Sequence, residues 1–143
     1  MRMPPLLNVG EVCWVAVRNM VENPEHASGE GKDRPAILGW KTSDGRWGVI
    51  GTTTRSTYQD GTPRVRIPKE LWEDVYPELG DRPGYLWGDR APVVVAADIH
   101  DHIGWAPPEL RALAARPITN MTQSLKNDFL RLRPDELPLV GDR

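Results

Sequence analysis

The chain has 143 residues, enough for one well-packed core and too few for two. Hydrophobic residues make up 39% and charged residues 27%, which excludes a disordered chain and predicts a globular one. The formal net charge is −2, so bulk attraction to nucleic acid is excluded and any such binding needs a local basic cleft.

In chain order, Met1-Arg2-Met3-Pro4-Pro5 carries a charge with no apolar stretch behind it, so no signal peptide is predicted and residues 1–8 are expected to form a flexible tail. Val9 to Val17 (VGEVCWVAV) reads as a strand with apolar residues on both faces. Its Cys13 is the only cysteine; it cannot form an internal disulfide, fits a reducing cytoplasm and is predicted to pack inertly. Residues 18–33 are polar and without period, a long loop of the kind that tends to carry function. Pro35 to Lys41 and Trp47 to Thr54 are two further strands. The Asp-Gly pair of Thr42-Ser43-Asp44-Gly45 between them signals a hairpin. Arg64 to Ile67 alternates charged and apolar residues, as a half-exposed strand does.

Pro68 opens a short predicted helix, PKELWEDV, and Tyr85 to Trp87 forms a minor strand. Pro92 to Ile103 is the most regular strand, with Val93, Val95, Ala97 and Ile99 on one face. Pro107 to Ala115 forms a helix that Pro117 ends. Asn120 to Arg133 is a second, docking through Met121, Leu125, Phe129 and Leu132, with Pro134 as its stop and a frayed tail beyond. No apolar run approaches the roughly 20 residues that span a bilayer, so a soluble cytoplasmic chain with no membrane partner is expected. Short strands followed by terminal helices predict a single domain, mainly β with α additions: a small barrel with C-terminal helices.

Three segments, GEVCWV at residues 10–15, GEGKDRPAIL at residues 29–38 and VIGTTT at residues 49–54, in this order resemble the MazF/PemK family of bacterial toxins, the barrel family that also includes the gyrase poison CcdB. Gly10-Glu11-Val12-Cys13-Trp14-Val15 is similar to the family's opening strand. Gly29-Glu30-Gly31-Lys32-Asp33-Arg34-Pro35-Ala36-Ile37-Leu38 matches its Gly-rich loop, Arg-Pro pair and following strand. Val49-Ile50-Gly51-Thr52-Thr53-Thr54 resembles the strand that ends in a threonine near the active site. With the stretch from Val93 to Gly104 and the helices after it, the likeness covers about residues 9–133. It implies an SH3-like barrel of the MazF/PemK/CcdB kind over residues 1–143. It further implies an endoribonuclease that cleaves single-stranded RNA without metal or other cofactor, a homodimer, and inhibition by a cognate antitoxin peptide. The family's arginine is carried onto Arg34 and its threonine onto Thr53, or onto Thr54 if the register slips by one.

Metal-free cleavage requires that the 2′-OH lose a proton, that charge on the phosphorane be stabilised, and that the leaving 5′-oxygen gain a proton. Arg34 suits the second task, because a guanidinium fork matches phosphate oxygens; a salt bridge to Glu30 or Asp33 is the bland alternative. Thr53 can orient a phosphate oxygen or simply suit a strand. The base must come from elsewhere. Asp98, His100 and His102 alternate along one predicted strand face, where the family often has Gln-x-Arg. That departure replaces an RNA-contacting cation with a residue type that changes charge near neutral pH, so His100 is the acid–base candidate and Asp98 its orienting partner. A metal on this face would lack further ligands other than His26, and none is expected.

Arg64 and Arg66 on one strand face, Thr54 at the end of the third strand, Arg55 after it, and Asp98 are candidate RNA-binding residues, the arginines as contacts to the phosphate backbone. The positive charge is mostly arginine, with four lysines (Lys32, Lys41, Lys69, Lys126), which suits phosphate but also follows from a GC-rich genome. Of the six tryptophans, Trp14 and Trp47 are expected in the barrel or a dimer contact, and Trp87 and Trp105 exposed for stacking. Two other functions fit the residues. A barrel that lost its chemistry and binds a protein is favoured by the Asp98–His100 departure, the acidic balance and the proline-rich stretch from Pro77 to Pro92. A gyrase-directed toxin would need its contact from Leu130-Arg131-Leu132-Arg133.

Overall fold

Three adjacent strands carry apolar side chains on both faces, and this sets the architecture. The computed structural model of the chain describes residues 7–16, 33–58, 60–77 and 82–131. The expected loop before Asp33 with Glu30 and His26, the tails, residues 78–81 of the proline-rich stretch, and Leu132, Arg133 and Pro134 lie outside the described residues.

Strands β1 (Glu11–Ala16), β2 (Asp33–Lys41) and β3 (Trp47–Thr53) pair antiparallel in that order. Val12, Ile37 and Ile50 face one apolar layer; Cys13, Val15, Ala36, Leu38 and Val49 face another. Helices α1 (Lys69–Trp72), α2 (Pro108–Ala115) and α3 (Gln123–Arg131) cover the first layer with Trp72, Leu110, Ala114 and Phe129. Trp47, Trp87, Val94 and Ile99 cover the second. Each fully buried aliphatic or aromatic side chain stabilises the fold by about 1.5–3 kcal/mol, so burial on both faces makes these strands its centre.

The hairpin between β2 and β3 turns where the Asp-Gly pair places it. Gly45 sits at φ +85°, a backbone region that L side chains rarely adopt. The Thr42 hydroxyl donates to Asp44, and Arg46 Nε donates to the same carboxylate at 2.9 Å. Those bonds, Thr42 first, hold the Asp44 carboxyl below its ordinary value. The ladder register shifts between Leu38 and Trp40, and the Trp40 indole then lies directly over Gly48. A Cβ there would come within 2.4 Å of the ring, so only glycine fits.

Short strands β4 (Arg66–Ile67), β5 (Gly84–Leu86) and β6 (Val93–Val94) and a longer β7 (Ile99–Trp105) complete the sheet. Its order is β4-β5-β3-β2-β1-β7, and β6 shares the outer edge of β3 with β5. The end strands do not pair with each other, so among the described residues the sheet is open where a closed barrel was expected. Mainly antiparallel β-structure with a few helices is what the chain forms.

The strand expected over Pro92 to Ile103 is broken, and the topology gives the reason. Val93 and Val94 pair with β3, whereas β7 pairs with β1, on the far side of β2. One straight strand cannot reach both. A 3-10 turn over Ala96–Asp98 makes the corner, and Val93, Val95 and Ala97 are exposed rather than aligned on a buried face. The helices agree more closely: Pro107 caps α2, and Met121 and Phe129 are buried with Leu125 packed beside them. Trp47 is buried and Trp14 half-buried, edge-on to Tyr76 at 5.4 Å. Trp87, expected exposed, is buried, and Trp105 is half-buried. Among the described residues no helix is long and apolar enough to cross a membrane.

Candidate functional site

The β2–β3 register builds the site. Ala36 faces Gly51 and Ile37 faces Ile50 across the ladder, and continuing that register toward the strand ends puts Arg34 opposite Thr53. Arg34 Nη1 donates to Thr53 Oγ1 at 3.1 Å, and the Thr52 hydroxyl donates to the Pro35 carbonyl at 2.7 Å. The guanidinium carbon of Arg34 also lies 5.0 Å from the centroid of the buried Trp87 ring, which restrains the plane of the fork. Thr53 Oγ1 accepts a second bond from the Arg55 backbone N–H at 3.2 Å. Both acceptor positions of that oxygen are occupied, and its own hydrogen remains a donor.

These groups line a cleft of about 300 Å³, walled by Asp33, Arg34, Thr53, Arg55, Tyr76 and Arg82, among others. The volume lies at the low end for small-ligand sites, which run from about 300 to 1,000 Å³. Three arginines and one aspartate are among the lining residues, a basic cleft within an acidic chain. Thr54 is exposed and belongs to the same wall, but the threonine facing Arg34 is Thr53.

His100 is not one of the residues that line the cleft; it is joined to the wall only through Asp33, a different carboxylate from the one expected. Its Nδ1 lies 2.7 Å from Asp33 Oδ2, at the cleft wall. Asp98 is not its partner: that residue is buried in the 3-10 turn, off the strand that carries His100. The same turn dissolves the Asp98–His100–His102 face as a metal-ligand set.

Arg64 also departs from expectation. It is buried, and its guanidinium donates to the Trp87 carbonyl at 2.9 Å, the Thr57 carbonyl at 2.7 Å and the Arg55 carbonyl at 3.3 Å. It therefore clamps the segment carrying Arg55 and shares no face with Arg66, which is exposed on β4. Arg64→Leu is expected to cost about 2–3 kcal/mol, because buried carbonyls lose a charged donor. Urea unfolding measures it, and a cost below about 0.5 kcal/mol would mean the clamp holds nothing.

Sequence reasoning did not assign Asp33 its place beside His100, nor Tyr76 and Arg82 theirs in the wall. Asp33 adjoins Arg34, so it could have been suspected; its contact with a residue 67 positions away could not. Compared with models of protein families, with curated proteins and with solved structures, the chain matches none.

Proposed function

We propose that this chain is an endoribonuclease that cuts single-stranded RNA in the Arg34–Thr53 cleft without a metal ion. The observation that carries the reading is the guanidinium of Arg34, held by the Thr53 hydroxyl and the Trp87 ring inside a cleft where positive charge predominates. The fold we assign with it is the SH3-like barrel type of the MazF/PemK toxins, here with an open sheet.

In this reading the 2′-oxygen attacks phosphorus while its proton passes to His100. The carboxylate of Asp33 can only accept, so Nδ1 of the neutral ring carries the hydrogen and Nε2 is the basic nitrogen. Arg34 donates two hydrogen bonds to the phosphorane oxygens, and the Thr53 hydroxyl donates a third. The bond from phosphorus to the 5′-oxygen breaks, the leaving oxygen takes a proton from water, and a 2′,3′-cyclic phosphate and a 5′-hydroxyl result. Arg55 and Arg82 hold the phosphates on either side, with Arg66 and Thr54 at the margin. The resemblance to the toxin family adds a homodimer, a cytoplasmic site of action and a cognate antitoxin peptide laid over the cleft.

The test is purified protein on a long single-stranded RNA in EDTA, with fragment ends identified. Fragments ending in 2′,3′-cyclic phosphate are expected. Binding without scission would reduce the chain to a binding module, and neither binding nor scission would remove RNA as its substrate.

A further inference from the structure

A second cluster of chemically capable side chains shares no residue with the cleft. Glu11 and Cys13 are two positions apart on β1, so their side chains leave the same face of the strand. Both are fully buried. On the neighbouring strand β7, the ladder slips between the Val12–Gly104 and Cys13–His102 pairs, and Ile103 is the extra residue. Bulges of this kind re-aim a side chain, and here His102 comes to lie opposite Cys13. His102 Nδ1 lies 2.7 Å from Glu11 Oε2, and the other Glu11 oxygen accepts the Asn8 backbone N–H at 3.1 Å. One ligand atom from each of Glu11, Cys13 and His102 falls within 4.8 Å of the others.

We propose that Glu11, Cys13 and His102 form a zinc site. Tetrahedral zinc with bonds of about 2.0–2.3 Å to oxygen, nitrogen and sulfur sets its ligand atoms about 3.4–3.6 Å apart. To take that spacing, the Glu11–His102 contact would open from 2.7 Å, and the three ligand atoms already lie within 4.8 Å of one another. A thiolate, an imidazole and a carboxylate together select a borderline-soft divalent ion and disfavour magnesium and calcium, which take oxygen ligands. Glu11 and Cys13 approach from the interior. The His102 side chain is 32% exposed, so the ion enters from its side and the fourth position faces solvent. The site pins β7, an end strand of the sheet, onto β1. It stands independently of the RNA reading.

Titration of the full chain with Co²⁺ as the spectroscopic probe, followed by displacement with Zn²⁺, tests the site. Expected are saturation at one equivalent, the d–d bands of a tetrahedral ion, and a near-ultraviolet charge-transfer band from thiolate to cobalt. Zinc should abolish all of these at one equivalent and raise the unfolding temperature. Cys13→Ser should remove the charge-transfer band. His102→Gln, at the exposed corner where folding is least at risk, should weaken binding on the order of 100-fold or more. A chain that takes up no cobalt stoichiometrically, a spectrum without the thiolate band, or undiminished affinity in His102→Gln would each overturn the assignment.

Discussion

Arg34→Ala is expected to lower the rate of the proposed RNA cleavage on the order of 10²–10³-fold, the usual cost of removing one preorganised donor to a developing oxyanion. The loss follows from position as well as charge. Arg34 is half-buried, fixed at one nitrogen by Thr53 and over its plane by Trp87, so the fork stands oriented before substrate arrives. Arg34→Lys keeps the charge but not the fork, and is expected to recover only part of the loss. Thr53→Val removes the acceptor that serves both Arg34 and the Arg55 N–H and should cost about tenfold or more. Single-turnover rates on one RNA, with urea unfolding as the control for folding, separate these effects. A wild-type rate in Arg34→Ala would take this residue out of the chemistry.

Phe129→Ala is expected to destabilise the fold by about 3–5 kcal/mol, a large share of the stability of a domain this size. Phe129 is fully buried and is the buried residue through which α3 meets the core beneath β1–β3. Arg111 Nη1 donates to the Phe129 carbonyl at 3.1 Å, a backbone contact that the substitution leaves in place. The expected loss is therefore that of ring packing alone. Hydrogen exchange should rise first in α3, ahead of β1–β3. A cost below about 1.5 kcal/mol would show that α3 is peripheral to the core.

The centre of the fold was legible because local signals and tertiary demands agree there. The Asp44-Gly45 pair set the hairpin, and the apolar runs of β1, β2 and β3 matched burial on both faces. Proline and periodic apolar positions marked α2 and α3. The segment from Val93 to Ile99 misled because its alternation is that of a half-buried strand, while its two ends belong to different neighbours. No local pattern encodes that division. Arg64 misled for a related reason: alternation with Val65 and Ile67 suggested exposure, but carbonyls from three separate residues claim its guanidinium. In the cleft, the facing of Arg34 and Thr53 follows from hairpin register and was within reach. The Asp33–His100 contact joins strands separated by β1 and was not.

The pairing of β1 with β7 bears on how the molecule comes into being. Glu11 and His102 meet across 91 residues, so β1 gains its outer neighbour only after that much further chain has been synthesised. At typical elongation speeds that wait lasts roughly 5–20 s, far longer than a hairpin takes to form. Throughout that interval the outer edge of β1 is bare, open to chaperones or to mispairing with another nascent chain. The long-range pairing that makes this sheet slow to assemble also joins β1 and β7, strands far apart in sequence, into one cooperative unit.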